Sequence, residues 1–387
     1  MQEDFTGRAE TIVVGAGAIG LAVAHELLLR GTEVWVLERD RPGCGATWAA
    51  GGMLAPISEA DQGEPELTRL GQDSLERYPR FVESLERFTG LACAYRTDGT
   101  LWVAVNRDDL AELEHLCETL QRRQLPLQTL SGEQVAQREP HLSGRISAGL
   151  LVEQDHQVDP RALVFCLEQA VRTRGGKILC GAQLSEVTER NGRLHAVIGR
   201  DGRGEEFRLR CDNLVLATGA WSCRDLVLPL PNLGVRPVKG QLLRLRGQRL
   251  LRHVVRTPDA YLIPREDGEL LIGATMEEMG YDCAATAGAA MDLLRHAWEA
   301  LPAIYDLQLN EISVGLRSAV EDNLPLIGPT LVEGLYLALA HHRNGILLAP
   351  ATAHYLAQSI REGREVEALK PFLPSRVEIG RSEREVG

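Results

Sequence analysis

"TIVVGAGAIGLAVAHELLLRGTEVWVLERD", residues 11–40, decides the fold. A β-branched run from Thr11 to Val14 predicts a strand. It runs into Gly15-x-Gly17-x-x-Gly20, and an apolar-periodic helix follows to Leu29, stopped by Gly31. A second strand, Glu33 to Leu37, ends on Glu38. Strand, glycine turn, helix and strand with a terminal acid make a βαβ unit with a dinucleotide fingerprint. Gly15 permits the tight turn, Gly17 lets backbone approach a pyrophosphate, and Gly20 lets helix and strand pack closely. Ala18 and Ile19 open the helix, whose free N–H groups and positive dipole end suit phosphate. Glu38 is placed to accept hydrogen bonds from ribose hydroxyls, with Arg39 beside it. Glycine turns are common in α/β proteins, so the signal lies in the agreement of all these parts. The unit alone does not separate NAD from FAD.

The rest of the composition narrows the class. With 387 residues the chain holds two or three domains' worth of core. Lys and Arg number 42 against 54 Asp and Glu, a net charge of −12. No basic block exists to displace counterions from a phosphate backbone, so neither nucleic acid nor an anionic membrane surface is expected as a partner. No basic-then-apolar leader opens the sequence, and no uncharged apolar run is long enough to span a membrane. The eight cysteines are scattered without a CxxC pair, as in reduced cytoplasmic proteins, and no metal site is expected.

Features further along favour FAD. The stretch "RPGCGATWAAGGMLAP" (41–56) is a small-residue loop directly after the acidic residue. Ala46, Thr47, Gly51, Gly52 and Met53 there let backbone run close to a ligand from pyrophosphate toward the reactive ring. In "NLVLATGAWS" (213–222) a buried strand, Leu214 to Ala217, meets Gly219, which allows close passage beside a cofactor. Near the end, "GLYLALA" (334–340) predicts a strand and "ILLAPATAHYLAQSI" (346–360) a helix. His341, His342, Arg343, Asn344 and Gly345 then form a strand-to-helix turn, with Ile346 and Leu347 in the first turn of the helix. A reduced flavin becomes anionic around N1 and the C2 carbonyl, and a helix start there stabilises that charge. A reduced nicotinamide is neutral and needs no such element.

The order "GAGAIG…LERD…AAGGML…LATGAWS…VKGQLLRL…AYLIPR…IGATME…GLRSAVEDNLPLIG…HHRNGILLAPAT" resembles the D-amino-acid-oxidase-like family of FAD amine oxidases, and within it the glycine-oxidase branch. The similarity covers nearly the whole chain. It implies an α/β fold with a Rossmann-like FAD-binding domain interleaved with a substrate domain on an antiparallel sheet. It implies non-covalent FAD, and oxidative deamination of glycine and small amino acids to the imine or 2-oxo acid. Oxygen is then the acceptor and peroxide the product, supplying the thiazole branch of thiamine biosynthesis from a homo-oligomer. The chain departs from the family at Ser318-Ala319-Val320 and at Ala340 and His342, which leaves the preferred substrate open.

Amino-acid oxidation needs no nucleophile or metal, because the flavin takes the hydride from Cα. The protein must anchor a carboxylate, and the planar fork of arginine gives it two parallel charge-assisted bonds. Arg317 ends a predicted strand among apolar and small residues and is the first candidate, with Arg343 second. Tyr261, in "AYLIPR", alternates inward with Ile263 and can share the carboxylate. The resemblance also puts Arg317 at the carboxylate and Arg343 within reach of substrate. It places Met276, Met53 and His342 around the small pocket, and Val187 as a backbone contact to the adenine half. His341 and His342 are expected to give shape and hydrogen bonds rather than act as bases. The expected units are an FAD-binding domain from 1–80, 145–230 and 318–370, a substrate domain from 81–144 and 231–317, and a polar tail over 371–387. The alternatives are a flavin dehydrogenase or N-methyl-amino-acid oxidase of the same fold, and a non-catalytic flavin-binding protein.

Overall fold

The computed structural model describes residues 7–59, 64–224 and 226–377. Residues 1–6 and 378–387 lie outside the described residues; in the rest of the polar tail expected over 371–387, Phe372 and Leu373 are buried, so the chain is still packed there.

The βαβ unit forms as its sequence dictates. β1 (Arg8–Val14) pairs in parallel with β2 (Val34–Glu38), and α1 (Ala18–Leu29) connects them. α1 is buried from Ala18 to Ala24, apart from half-buried Ile19 at the cavity, because other helices cover it, which suits a helix that is apolar all round. Those neighbours are α5 (Pro160–Thr173) and α7 (Gly345–Glu362). α5 begins where Asp-Pro predicts: Asp159 caps the amides of Arg161 and Ala162, and Pro160 fills the first turn.

The first sheet runs β17 (Leu326–Pro329), β18 (Leu335–Leu339), β11 (Glu206–Leu216), β1, β2, β8 (Lys177–Cys180). β11 pairs antiparallel with β10 (Arg193–Arg200) at its start and parallel with β1 and β18 at its end. β10 in turn pairs with β9 (Gln183–Arg190). The antiparallel meander of β9 and β10 and the predicted buried strand therefore meet in β11, one continuous strand that belongs to both.

The second sheet runs β16 (Gln308–Ala319), β12 (Arg236–Arg246), β15 (Glu269–Gly273), β14 (Tyr261–Pro264), β13 (Val254–Arg256), β4 (Thr100–Ala104), β6 (Ala148–Val152), β5 (Gln128–Ser131). Leu243, Leu245, Leu262 and Ile272 on its outer face pack against Leu293 and Ala297 of α6 (Ala287–Ala300). The charged stretch 107–138 forms α3 (Arg107–Arg122) and α4 (Gly132–Arg138), with β5 between them. Asn106 caps α3, and Ser131 with Gln134 forms a capping box on α4.

Two details differ from the expected division of the chain. β6 sits between β4 and β5 in the second sheet, although 145–230 was expected in the cofactor unit. Its short apolar run, AGLLV, carries no period that tells one buried sheet from the other. The chain crosses back only at β7 (His156–Gln157), which pairs with β3 (Met53–Leu54). α2 (Pro65–Thr89) also runs unbroken past position 80 and packs along α7.

Candidate active site

Between the two sheets lies a cavity of about 480 Å³. Its cofactor end is built by the glycine turn. Gly15 has φ +104°, and a Cβ there would lie 2.4 Å from the Ala217 carbonyl oxygen. A Cβ on Gly20 would lie 1.9 Å from the carbonyl oxygen of Gly15, so the constraint is space alone. Gly17 differs: its nearest neighbour would be Thr47 Oγ1 at 3.5 Å, and it borders the cavity. No side chain caps α1, although the Ala18 amide donates to Thr47 Oγ1 at 3.2 Å. Glu38 accepts the Ala16 amide on one oxygen at 2.7 Å and the Asp40 amide on the other at 2.9 Å. Each oxygen keeps a lone pair for a ribose hydroxyl. Arg39 stacks on Trp221 at 4.4 Å. An uncapped helix start, an open Gly17 and an acid with spare acceptor capacity fit FAD.

The C-terminal turn is made differently from what its sequence suggests. Ala340 (φ 57°) and His342 (φ 47°) carry the left-handed conformations. Gly345 is helical, with φ −58°, and a Cβ there would meet nothing nearer than His341 Cβ at 3.7 Å. Gly345 is thus not what turns the chain. No side chain caps α7. Pro350 lacks the N–H that would reach the Ile346 carbonyl, and the Tyr78 hydroxyl donates to that oxygen instead at 2.5 Å. Ser74 donates to the Leu347 carbonyl at 2.6 Å, so α2 holds the first turn of α7 in place.

The reactive end lies on the second sheet. Strand alternation and register put Gly240, Gly273, Gly315, Tyr261, Arg256 and Arg317 on its cavity face. The three glycines form a bare floor. A Cβ at Gly240 would come within 2.5 Å of Arg317 Nη1, one at Gly273 within 2.4 Å of the Tyr261 ring, and one at Gly315 within 2.7 Å of Ala49. Arg317 lies flat on this floor and donates from Nη1 to the Thr275 carbonyl at 3.0 Å. Burial pushes the Tyr261 hydroxyl above its ordinary pKa, while the guanidinium of Arg317 pulls it down. Arg256 pairs with Glu59 and stacks on Trp102 at 4.4 Å. His341 is buried, bonds Thr352 Oγ1 at 3.1 Å, and is held neutral by burial, its pKa lowered to about 3. His342 falls to about 4, first by burial and then by the nearby Arg317 and Arg343.

The cavity wall therefore brings together Gly15, Gly17, Ala18, Ile19, Glu38, Arg39, Ala46, Thr47, Gly51, Gly52, Met53, Gly219, Tyr261, Met276, Arg317, His341, His342, Arg343, Gly345 and Ile346. Met276 is 70% exposed, so it belongs to the rim rather than the interior. Gly20, Asn344 and Leu347 do not line the wall. Val187 is also off it: it is buried in β9, and its amide donates to the Val227 carbonyl at 2.9 Å. The wall meets that strand earlier, at Gln183 and Leu184. Sequence reasoning missed Leu184, the Glu59–Arg256 pair and Arg265. Arg265 is almost fully buried and donates to the Gly51 carbonyl at 2.6 Å and to Gln157 at 3.0 Å, fixing the small-residue loop. An arginine directly after the inward Tyr261-x-Ile263 pattern was the available signal.

Comparison with known proteins agrees with this geometry. Residues 10–359 match the family model described as DAO, FAD dependent oxidoreductase. The bifunctional protein ThiO/ThiG of Trichormus variabilis is 34% identical over 372 residues, which are 95% of this chain and 55% of that protein. The chain thus spans about half the length of that relative. Glycine oxidase of Pseudomonas aeruginosa is 34% identical over 92% of this chain and 95% of its own. The crystal structure of glycine oxidase from Geobacillus kaustophilus superposes with a TM-score of 0.86 at 29% identity, covering 96% of this chain and 99% of that one. With a family match over most of its length and a fold that builds the matching cofactor cradle, the chain belongs to the DAO family of FAD-dependent oxidoreductases.

Proposed function

We propose that the protein is an FAD-dependent oxidase of glycine and other small amino acids. The observation that carries this is one cavity with a dinucleotide cradle at one end and Arg317, Tyr261 and His342 at the other. Bound FAD would supply the hydride acceptor for the substrate Cα and would pass the electron pair to oxygen, giving hydrogen peroxide. Gly15, Gly17 and the start of α1 would hold the pyrophosphate, Glu38 would hold the ribose, and the uncapped start of α7 would stabilise negative charge on the reduced ring. Arg317 grips the substrate carboxylate with its fork, and Tyr261 adds a hydrogen bond. Arg343 closes the site from the turn, with Met276 and Met53 around the small pocket. Neutral His342 leaves the site with less positive charge beside an amine that must lose a proton.

Within this reading the imine feeds the thiazole branch of thiamine biosynthesis, a role supported by the likeness to ThiO/ThiG. The cofactor unit is 1–80, 145–230 and 318–370, with the rest of α2 added and β6 removed, and the substrate unit is the remainder up to 317. FAD is held without a covalent bond. Cytoplasmic location is part of the reading, supported by the free cysteines; among the described residues no helix is long and apolar enough to cross a membrane. A homo-oligomer is supported by apolar side chains left in solvent along α6 and after it, Met291 at 67%, Trp298 at 47% and Tyr305 at 85% exposed.

The test is anaerobic mixing with glycine, then a panel of glycine, sarcosine, N-ethylglycine, D-alanine and D-proline with peroxide detection. Bleaching of the flavin band by glycine and peroxide formation in air are expected. Bleaching without peroxide makes the protein a dehydrogenase. Preference for sarcosine makes it an N-methyl-amino-acid oxidase. A flavin that no amine reduces makes it a binding protein.

A further inference from the structure

Lys239 and Gln241 are fully buried on the face of the second sheet turned away from the cavity, yet both are polar. A buried lysine is costly unless its partner is worth holding. Here every partner lies on one segment, residues 275–286. Lys239 Nζ reaches Asp282 Oδ2 at 2.6 Å. Gln241 Nε2 donates to Glu277 Oε1 at 2.8 Å and to Thr286 Oγ1 at 3.1 Å, and its Oε1 accepts the Thr286 amide at 2.9 Å. The backbones join as well. The amides of Lys239 and Glu277 each donate to the other residue's carbonyl, at 2.9 and 3.0 Å, and the Gln241 amide donates to Thr275 Oγ1 at 2.9 Å. What this segment presents to the other face is the Thr275 carbonyl, which accepts from Arg317 Nη1. Gly240, between the two buried polar residues, is the floor under the same guanidinium.

We propose that Lys239 and Gln241 are positioning residues for carboxylate recognition: from the back of the sheet they pin the 275–286 segment so that the Thr275 carbonyl sets the orientation of the Arg317 fork. This rests on Arg317 being the carboxylate anchor. One guanidinium edge is committed to the carbonyl, and the rest is presented to the substrate in a fixed plane. Loosening the segment lets that plane rotate, and a bidentate contact weakens before the chemistry does.

The test uses the holoenzyme. Acetate is titrated and followed by the visible flavin spectrum, and glycine KM is measured beside the limiting rate of anaerobic flavin reduction. Lys239→Met keeps the buried volume, and Asp282→Asn breaks the same pair from its exposed side without touching the core. Both are expected to raise the acetate Kd and glycine KM by about tenfold, with limiting rate and FAD content nearly unchanged, and Lys239→Arg to recover most of the loss. A general structural role would instead lower the melting temperature and FAD content together. Acetate Kd within about twofold of wild type in both variants overturns the proposal. Arg317→Ala is the control for the reading beneath it. If that variant still binds acetate normally, the anchor is misassigned and the positioning role falls with it.

Discussion

At Arg317, the proposed carboxylate anchor, one fork lies on a glycine floor. Replacing it with alanine removes one partner of a desolvated charge pair, a loss of about 2–5 kcal/mol. That corresponds to roughly a 30- to several-thousand-fold fall in kcat/KM for glycine. Arg317→Lys keeps the charge without the fork and should fall at the mild end. Steady-state kinetics and flavin content check this; alanine activity within about threefold of wild type would move the anchor to Arg343. The glycines of the first motif separate in the same way. Gly17→Val should leave a folded chain that loses FAD, because its side chain projects into the cavity. Gly20→Ala should lower the thermal stability of the apoprotein itself, because its Cβ collides with backbone. Gel filtration, melting curves and bound-flavin absorbance distinguish the two outcomes. These positions were legible in the sequence because each rests on backbone geometry that a short motif fixes. Gly345 ends the predicted strand-to-helix turn without making it, since the left-handed conformations fall on Ala340 and His342, residue types that give no such signal.

Two elements carry constraints of their own. α7 reaches the cavity with its first carbonyls tied to α2, and Tyr78 makes up for the donor that Pro350 lacks. Tyr78→Phe leaves the Ile346 carbonyl buried and unpaired, which should cost about 1–3 kcal/mol and weaken FAD retention. Chemical denaturation of the apoprotein and an FAD titration measure the two parts. Beside β4, the carboxyl of Asp155 is fully buried, and burial pushes its pKa up to about 7. Its folded pKa lies above the unfolded value of 3.8. Its contribution is therefore fully present below about pH 4 and is lost as pH rises through 7. Asp155→Asn should gain stability relative to wild type progressively between those values, by at most about 4 kcal/mol at the upper end. A variant that tracks wild type at every pH between 4 and 8 would mean the carboxyl is ionised without penalty. His25 moves oppositely: burial lowers its pKa to about 4, so the stability of its neutral form is lost as pH falls from 6.5 through that value. The βαβ unit and the strand-turn-helix before α7 formed as read, but β6 was expected in the wrong unit, because strand pairing across distant sequence leaves no local trace.

For the whole molecule, the cavity lies where two sheets meet, and neither closes it alone. Flavin binding should therefore report on the entire fold. FAD supplied at about 100 times its Kd is expected to stabilise the apoprotein by about 2.7 kcal/mol. Acid or heat should release the flavin intact. Flavin that stays with the denatured chain would instead mean a covalent bond, for which Cys44 on the cavity wall would be the first residue to examine. The βαβ unit was legible from its glycine motif and flanking strands, while the meeting of Lys239 with Asp282 belongs to tertiary contacts that no motif encodes. The bare floor at Gly240, Gly273 and Gly315 has a consequence for how such a pocket can change. On that side nothing remains to be trimmed, so a mutation there can only shrink the pocket or displace the groups resting on it. Room for a bulkier amine has to come from the rim, where Met276 stands mostly in solvent and exposed Arg343 lines the cavity. Divergence in substrate preference is thus steered to one wall, and a library aimed at new substrates gains by leaving the sheet untouched and varying the rim.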